Sequence, residues 1–241
     1  ILLCMVLARN AAMGFNRWTD RDIDAKNPRT ASREIPAGRV SPGAALAFVI
    51  INSVLFMACA WWINRLCLYL SPLALFIILS YSMSKRFTAW SHIILGVSLA
   101  IAPVGAYIAV TGTIDFFPIL LAAVVMTWTS GFDILYSMQD ATFDKENELR
   151  SIPARFSMKG SAAISIILHL ISIYGVYVIG KFHSMGTLYW IGVAIFVAVL
   201  IMQHIIYRPS KVVERIGASF GLVNGLASVS YAAFAIADML V

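Results

Sequence analysis

Three oxygen-bearing side chains recur at every fourth residue where the first apolar segment of the chain ends. They are Asn16, Asp20 and Asp24. In a helix of about 3.6 residues per turn, positions i, i+4 and i+8 stay on one face, so one amide and two carboxylates are predicted to point the same way. Such groups suit a hard divalent cation, and Mg²⁺ usually completes its shell with substrate phosphate oxygens. The spacing predicts half of a site for Mg²⁺ and a diphosphate.

A second set with the same spacing follows about 120 residues later. It consists of Tyr136, Asp140 and Asp144. The segments after the two sets also match, since residues 33–38 read REIPAG and residues 150–155 read RSIPAR. This similarity indicates an internal repeat. We expect residues 1–241 to form one transmembrane domain of two pseudo-repeats, about 1–110 and 114–241, whose acidic helix ends meet at one mouth.

The motifs lie in a chain of membrane-protein composition, with 241 residues of which 60% are hydrophobic and 12% charged. The runs long enough to span a bilayer cover about 1–18, 41–63, 67–84, 89–110, 114–138, 159–180, 186–207 and 215–240. No segment between them is long enough for a soluble domain. The predicted fold class is therefore all-α, a polytopic transmembrane helical bundle with eight helices in this chain. The chain opens on Ile1 without a basic n-region, and we expect it to be a fragment rather than a signal-peptide precursor.

The net charge of +6 could suggest a nucleic-acid partner, but the basic residues are placed as in a membrane protein. If the loop after the first helix is cytoplasmic, all Lys and Arg residues except Arg9, Arg65 and Lys181 fall on that side. Such an excess of Lys and Arg in the loops on one side of the membrane is typical of the cytoplasmic side. We predict no nucleic-acid partner and a multi-pass protein of the bacterial inner membrane, with its motifs at the cytoplasmic face.

A single pair of carboxylates at the end of a membrane helix is usually just exposed to water. Two such pairs, each interleaved with basic residues, favour a binding site. Arg29 and Arg33 follow the first motif, and Lys85 returns to the same side at the end of the third helix. Carboxylates would hold the metal while cations neutralise diphosphate, as ionisation of an allylic diphosphate requires. Lys85 could equally be a topological anchor. The four histidines, at positions 92, 169, 183 and 204, show no metal-ligand spacing and are given no role.

These motifs, taken in order, resemble those of the UbiA superfamily of intramembrane aromatic prenyltransferases, and most of all its 4-hydroxybenzoate polyprenyltransferase type. The elements are Asn16-x3-Asp20-x3-Asp24 with Asn27-Pro28-Arg29-Thr30, Tyr81-x3-Lys85, and Tyr136-x3-Asp140-x3-Asp144 with Ser151-Ile152-Pro153-Ala154-Arg155. The resemblance implies nine helices around a central cavity that opens laterally to lipid. Only eight are found, so the family's first helix is expected to be missing. Ser157 stands where the family pattern leads us to expect glycine.

The resemblance implies transfer of a polyprenyl group from polyprenyl diphosphate to an aromatic acid, 4-hydroxybenzoate or a hydroxynaphthoate, in ubiquinone or menaquinone biosynthesis. Mg²⁺ is the implied cofactor. The metal site would comprise Asn16, Asp20, Asp24, Asp140 and Asp144; the diphosphate site Arg29, Arg33, Lys85 and Arg155; and the catalytic candidates Asp133, Lys85 and Tyr136.

Arg9 suggests where the acceptor binds. It lies seven residues before Asn16, hence in nearly the same direction and about 10 Å deeper along the helix. An intramembrane arginine is costly and is a functional candidate. We expect Arg9 to pair with the acceptor carboxylate, although a buried arginine satisfied by backbone carbonyls is the alternative.

Two other functions stay open at this level. The motifs indicate that the donor is a prenyl diphosphate but do not indicate the acceptor, which could instead be heme, chlorophyllide or a glycerol phosphate. A cation-binding transporter is the other class, but transporter sites lie near the bilayer midplane, whereas these acids gather at one face. The prenyl chain length and the oligomeric state are not predicted.

Overall fold

The computed structural model describes residues 1–206 and 218–241, and within them it contains helices and no strand. The long helices are α1 (Leu2–Thr19), α3 (Pro42–Ile63), α4 (Arg65–Ser84), α5 (Ser91–Thr111), α6 (Phe116–Ser137), α9 (Met158–Phe182), α10 (Thr187–Ile206) and α11 (Ala218–Leu240). The short ones are α2 (Arg21–Lys26), α7 (Ala141–Glu146), α8 (Ile152–Arg155) and a 3₁₀ turn, Met138–Asp140. The predicted basic anchors Arg208, Lys211 and Arg215, and with them the start of the predicted 215–240 run, lie outside the described residues.

The eight long helices follow the predicted apolar runs, and the prediction of an all-helical membrane fold is confirmed. In the described part of the chain, seven of them are long and apolar enough to cross a membrane, and α1 is the exception. The reason is its content of polar side chains, since Arg9, Asn10, Asn16 and Arg17 all fall within its 18 residues. Asn10 is used for packing, because its Nδ2 donates to Asn52 Oδ1 of α3 at 3.2 Å.

Helices that are neighbours in sequence pack against each other. Contacts run from α1 to α3 and α4, then through α4–α5, α5–α6, α6–α9, α9–α10 and α10–α11. Because the connections reverse the chain, the ends of α1, α4 and α6 lie at the same end of the bundle as the starts of α3, α5 and α9. We call this the motif end, since both acidic motifs lie there.

Serine side chains cap three of the helices that start at the motif end, α3, α8 and α9. Ser41 Oγ accepts a hydrogen bond from Ala44 N, Ser151 Oγ from Ala154 N, and Ser157 Oγ from Gly160 N, at 3.1–3.2 Å. These are N-cap hydrogen bonds, which satisfy backbone N–H groups that have no partner inside the helix. The unexpected Ser157 therefore has a structural role as the cap of α9.

One prediction of local geometry needs correction, because neither motif lies on a single continuous helix. The backbone leaves the helical conformation at Asp20 (φ −92°, ψ 4°) and again at Asp140 (φ −97°, ψ 1°). A six-residue helix follows each break, α2 and α7. The i to i−4 hydrogen bonds persist through the first break, from Asp24 N to Asp20 O at 2.7 Å, so the side chains still turn toward one region.

Candidate active site

A cavity of about 230 Å³ opens at the motif end between the two acidic motifs. Helices α1 and α2, the loop after α2, the end of α4, the start of α5 and the α6–α7 segment all contribute to its wall. The predicted site residues that line it are Asn16, Asp20, Asp24, Arg29, Arg33, Lys85, Asp133, Tyr136, Asp140 and Asp144. The chain thus brings together residues that are as far apart as 128 positions in sequence (144 minus 16).

The first motif is held by the loop that follows it. Asp24 is buried, and both of its carboxylate oxygens lie 2.8 Å from Arg33 Nη1. Thr30 Oγ1 donates to the backbone oxygen of Asp24 at 3.2 Å, and Arg29 N donates to Asn27 Oδ1 at 3.0 Å. These bonds fold residues 27–33 back over the motif, which places both arginines beside the cavity.

Asp20, the middle member of the first motif, contacts Asn16 of the same motif and Arg86, just after α4. Asn16 Nδ2 donates to its Oδ2 at 3.0 Å, and Arg86 Nη2 lies 3.8 Å from its Oδ1. Burial and the neighbouring Asp24 carboxylate raise the pKa of Asp20 to about 6. A carboxylate in that position is stabilised by additional positive charge, which a divalent cation would supply.

Cations from the first half of the chain hold the second motif. Arg29 Nε donates to Asp140 Oδ1 at 3.0 Å and Arg29 Nη2 to Asp140 Oδ2 at 2.6 Å. Lys85 Nζ donates to Asp144 Oδ2 at 3.4 Å, and the Asp144 side chain is only 3% exposed. Burial alone would lower the pKa of Lys85, but the carboxylates of Asp144, Asp133 and Asp140 raise it, so the lysine stays charged.

The loop after α4 is fixed to the segment after α7 by backbone contacts. Arg150 N donates to Lys85 O at 2.7 Å, and Arg150 Nη1 donates to Phe87 O at 2.8 Å. Lys85 is therefore held from both sides, by its main chain and by its ion pair with Asp144. This arrangement goes beyond what a topological anchor requires.

The donor set fits Mg²⁺ in a shared site rather than in a closed protein cage. Among the residues that the structure describes, no three His, Cys, Asp or Glu side chains stand close enough to hold one ion together. The available groups are carboxylate and amide oxygens around a polar cavity that also contains cations. Mg²⁺ commonly takes one or two carboxylates and completes its shell with water and phosphate oxygens. This fit requires the diphosphate in the same cavity.

A second polar group beside the cavity has no clear signal in the sequence. His92 Nδ1 lies 2.6 Å from Asp133 Oδ2, and its Nε2 lies 3.4 Å from Ser137 Oγ. Ser82 and Ser91 also line the cavity, and their buried Oγ atoms have no hydrogen-bond partner among the described residues. His92 is the second residue of α5, the helix that follows Lys85. This position is only weak evidence for a functional role, since a lone histidine at a helix end is usually structural.

Two predicted site residues do not reach the cavity. Arg9 is exposed on α1, one and a half to two turns away from Asn16, and is not part of the cavity wall. Arg155, at the end of α8, is exposed as well and lies with its guanidinium carbon 5.8 Å from the centre of the Phe156 ring. Their predicted roles toward the acceptor and the diphosphate find no support in these positions.

Comparison with known proteins identifies relatives of two acceptor types. The protoheme IX farnesyltransferase of Granulibacter bethesdensis is 38% identical over 133 residues, which are 53% of this chain and 41% of that protein. The 4-hydroxybenzoate octaprenyltransferase of Nitrosospira multiformis is 28% identical over 203 residues, 84% of this chain and 70% of that protein. The chain thus spans less than half the length of the heme-farnesylating relative that it matches.

Solved structures of similar fold include two UbiA homologs. The apo structure of a UbiA homolog from Aeropyrum pernix K1 is 32% identical, with a TM-score of 0.88 over 98% of this chain and 87% of that one. A UbiA homolog from Archaeoglobus fulgidus bound to GPP and Mg²⁺ is 21% identical, with a TM-score of 0.65 over 97% and 85%, and shares the fold. The model of the UbiA prenyltransferase family matches residues 1–224. The chain is an integral, multi-pass membrane protein and belongs to the UbiA prenyltransferase family.

Proposed function

We propose that this protein transfers a polyprenyl group from polyprenyl diphosphate to an aromatic acid, with Mg²⁺ as its cofactor. One observation carries the proposal: around one cavity, each of four carboxylates lies beside a cation. The pairs are Asp20 with Arg86, Asp24 with Arg33, Asp140 with Arg29, and Asp144 with Lys85. A site that binds a metal and a diphosphate together needs both kinds of group within reach of each other.

The two kinds of group have separate roles in the proposed reaction. The oxygen atoms of Asn16, Asp20 and Asp24 in the first motif, and of Asp140 and Asp144 in the second, would bind Mg²⁺ together with the diphosphate rather than as one closed set. The bound ion would neutralise charge on the diphosphate oxygens. Arg29, Arg33 and Lys85 would donate hydrogen bonds to the diphosphate as the allylic C–O bond breaks and its electron pair leaves with the diphosphate. Arg155 is the remaining candidate from the sequence, and its exposed position makes it the weakest of the four cations.

Asp133 and Tyr136 line the same cavity, and we assign them to the part in which the acceptor ring would meet the allylic carbon. The ring carbon ortho to the hydroxyl uses a π electron pair to form the new C–C bond. The proton on that carbon must then leave, and we assign Asp133 as its acceptor. The Tyr136 ring lies beside the Arg29 guanidinium, 5.9 Å from its carbon to the ring centre, and would shield the allylic cation.

The acceptor is proposed to be 4-hydroxybenzoate or a related hydroxynaphthoate, in the synthesis of ubiquinone or menaquinone. The relative that matches 84% of this chain is named for 4-hydroxybenzoate. A heme acceptor is the second candidate, because the relative with 38% identity is named for protoheme IX. Arg9 is the residue that we propose as the partner of an acceptor carboxylate.

The membrane orientation belongs to the same proposal. Lys and Arg residues gather at the motif end, whereas Arg65 and Lys181 lie at the opposite end. This asymmetry supports a cytoplasmic motif end, where a charged diphosphate could enter, and the bacterial inner membrane is the membrane we propose.

The direct test incubates membranes that contain the protein with a labelled prenyl diphosphate and a panel of acceptors. The panel should include 4-hydroxybenzoate, hydroxynaphthoates, protoheme and glycerol phosphate. Product mass identifies the acceptor and the chain length together, and added EDTA should abolish the product until Mg²⁺ is restored. The proposal would be contradicted if the protein binds the prenyl diphosphate but forms no prenylated product with any of these acceptors.

A further inference from the structure

His92 does not line the cavity itself, but it contacts two residues that do, Asp133 and Ser137. It lies in the first turn of α5 and is 1% exposed, so its ring is closed off from the cavity. Asp133, on α6, lines the cavity, and its side chain is 24% exposed. The two side chains meet at 2.6 Å, from His92 Nδ1 to Asp133 Oδ2. One carboxylate oxygen is therefore engaged on the buried side while the side chain as a whole reaches the cavity.

The direction of this hydrogen bond follows from the chemistry of the two groups. An ionised carboxylate only accepts hydrogen bonds, so Nδ1 must donate, whether the imidazole is neutral or charged. On the other side of the ring, Nε2 lies 3.4 Å from Ser137 Oγ, which itself donates to Ile134 O at 2.9 Å. Both ring nitrogens thus contact α6, and rotation of the ring would break both contacts.

The backbone keeps the two helices close at this point. One turn beyond His92, a Cβ added to Gly96 would lie 2.6 Å from the backbone oxygen of Met126 on α6. Only glycine permits this approach, and it holds the start of α5 against Asp133 and Ser137.

The opposite side of Asp133 faces the cavity. Tyr81 and Lys85, at the end of α4, are the titratable groups that act on it electrostatically from that side. Within the described ranges, no hydrogen bond reaches Asp133 Oδ1. The carboxylate thus has one oxygen held by a buried donor and one oxygen that receives no hydrogen bond from the described residues.

We propose that His92 is the positioning residue for Asp133, fixing its carboxylate so that Oδ1 receives the proton from the acceptor ring. The inference rests on the proposed aromatic transfer. In that step the ring C–H bond breaks after the new C–C bond has formed, its electron pair restores the aromatic ring, and the proton passes to Oδ1. His92 itself exchanges no proton with the substrate.

The experiment compares His92→Leu with His92→Asn. Leucine fills a similar volume without a donor, whereas the asparagine Nδ2 occupies the same branch position as Nδ1 and can donate to Asp133. His92→Leu should lower kcat on the order of 100-fold, the cost of misplacing a reacting group by about 1 Å. The KM for the prenyl diphosphate should stay unchanged, and His92→Asn should keep most of the wild-type kcat. His183→Leu is the matched control, because His183 is exposed near the end of α9 away from the motifs.

An isotope effect separates positioning from general damage. With an acceptor deuterated at the reacting ring carbon, the effect on kcat should be larger in His92→Leu than in wild type, because proton removal has become slow. A uniform structural loss would leave the isotope effect where it was. If His92→Leu does not fold, His92→Asn decides alone: wild-type kcat and isotope effect support the assignment, and loss of activity overturns it.

The outcomes also distinguish this inference from the function on which it rests. A wild-type protein that prenylates no aromatic acceptor overturns both. A wild-type protein that does so, with His92→Leu equal to it in kcat and in isotope effect, overturns only the role of His92.

Discussion

Arg29 holds Asp140 through two hydrogen bonds, Nε to Oδ1 at 3.0 Å and Nη2 to Oδ2 at 2.6 Å, across 111 positions of sequence. Arg33 with Asp24 and Lys85 with Asp144 form similar pairs. Three of the cations proposed for the diphosphate thus each pair with a carboxylate proposed for Mg²⁺. A carboxylate that is paired with a cation cannot bind Mg²⁺ at the same time, and the paired cation cannot bind the diphosphate. Binding of Mg²⁺ would therefore free the cation for the diphosphate, and binding of the diphosphate would free the carboxylate for Mg²⁺.

The first prediction concerns this exchange. Arg29→Gln should weaken binding of the prenyl diphosphate, yet it should strengthen binding of Mg²⁺ in the absence of diphosphate, because Asp140 loses its competitor. Coupling between the ligands is reciprocal and is typically about 5- to 150-fold, and the variant should reduce it. Calorimetric titration of each ligand with and without the other measures this. Arg39→Gln is the control, since Arg39 is exposed and does not line the cavity. Equal Mg²⁺ affinity in the wild type and Arg29→Gln would exclude competition.

The second prediction concerns the carboxylates. Replacing any one of Asp20, Asp24, Asp140 and Asp144 by alanine should lower turnover at least ~100-fold, the order seen on removal of a principal electrostatic stabiliser. Asp22→Ala is a control within the first motif, because the Asp22 side chain is 79% exposed. Turnover is measured at saturating Mg²⁺ in protein shown to be folded. Near-normal rates in two of the four variants would show that the two motifs do not form one site.

The third prediction concerns Lys85. Lys85→Gln should raise the Kd of the prenyl diphosphate or slow its ionisation, while the orientation of the protein in the membrane stays unchanged. Lys159→Gln removes an exposed charge at the start of α9 and serves as the comparison. Donor binding and protease accessibility of the loops report the two properties separately. If both variants behave like wild type, Lys85 serves topology alone.

The fold could be predicted from the sequence because a bilayer offers no partner to backbone polar groups, so each long apolar run had to become a helix. The gathering of the acidic residues followed from spacing and alternating topology. The ion pairs did not, because Arg29 meets Asp140 only once helices distant in sequence are packed. The role of His92 cannot be predicted for the same reason, since its partner Asp133 lies on another helix. The break at Asp20 depends on local backbone conformation that spacing alone does not report.

The fourth prediction concerns Arg9, for which the sequence and the structure point in different directions. The helical spacing aligns Arg9 with Asn16, but Arg9 does not line the cavity and its side chain is exposed. If Arg9 binds the acceptor carboxylate, Arg9→Leu will raise the acceptor KM and leave the Kd of the prenyl diphosphate unchanged. Arg9→Lys should then recover only part of the affinity, because an ammonium cannot bind a carboxylate bidentately. Unchanged kinetics for both substrates would remove Arg9 from the site.

The last prediction concerns Gly96, where the backbones of α5 and α6 approach each other closely. A Cβ at this position would lie 2.1 Å from Ser130 Oγ and 2.6 Å from Met126 O. The serine side chain could turn away, but the backbone oxygen could not, so Gly96→Ala must push the helices apart. We expect a loss of about 1–3 kcal/mol in the free energy of unfolding, the usual cost of overpacking.

Separation of the helices should also lengthen the contact between His92 and Asp133, so turnover should fall more than stability alone explains. Gly105→Ala is the matched control on the same helix, since nothing lies within 4 Å of the added Cβ there. Unfolding in denaturant and kcat, measured on both variants below the unfolding transition, separate the two effects. If Gly96→Ala unfolds more easily but its remaining folded fraction keeps full kcat, the close approach at Gly96 supports only the fold, and His92 holds Asp133 without it.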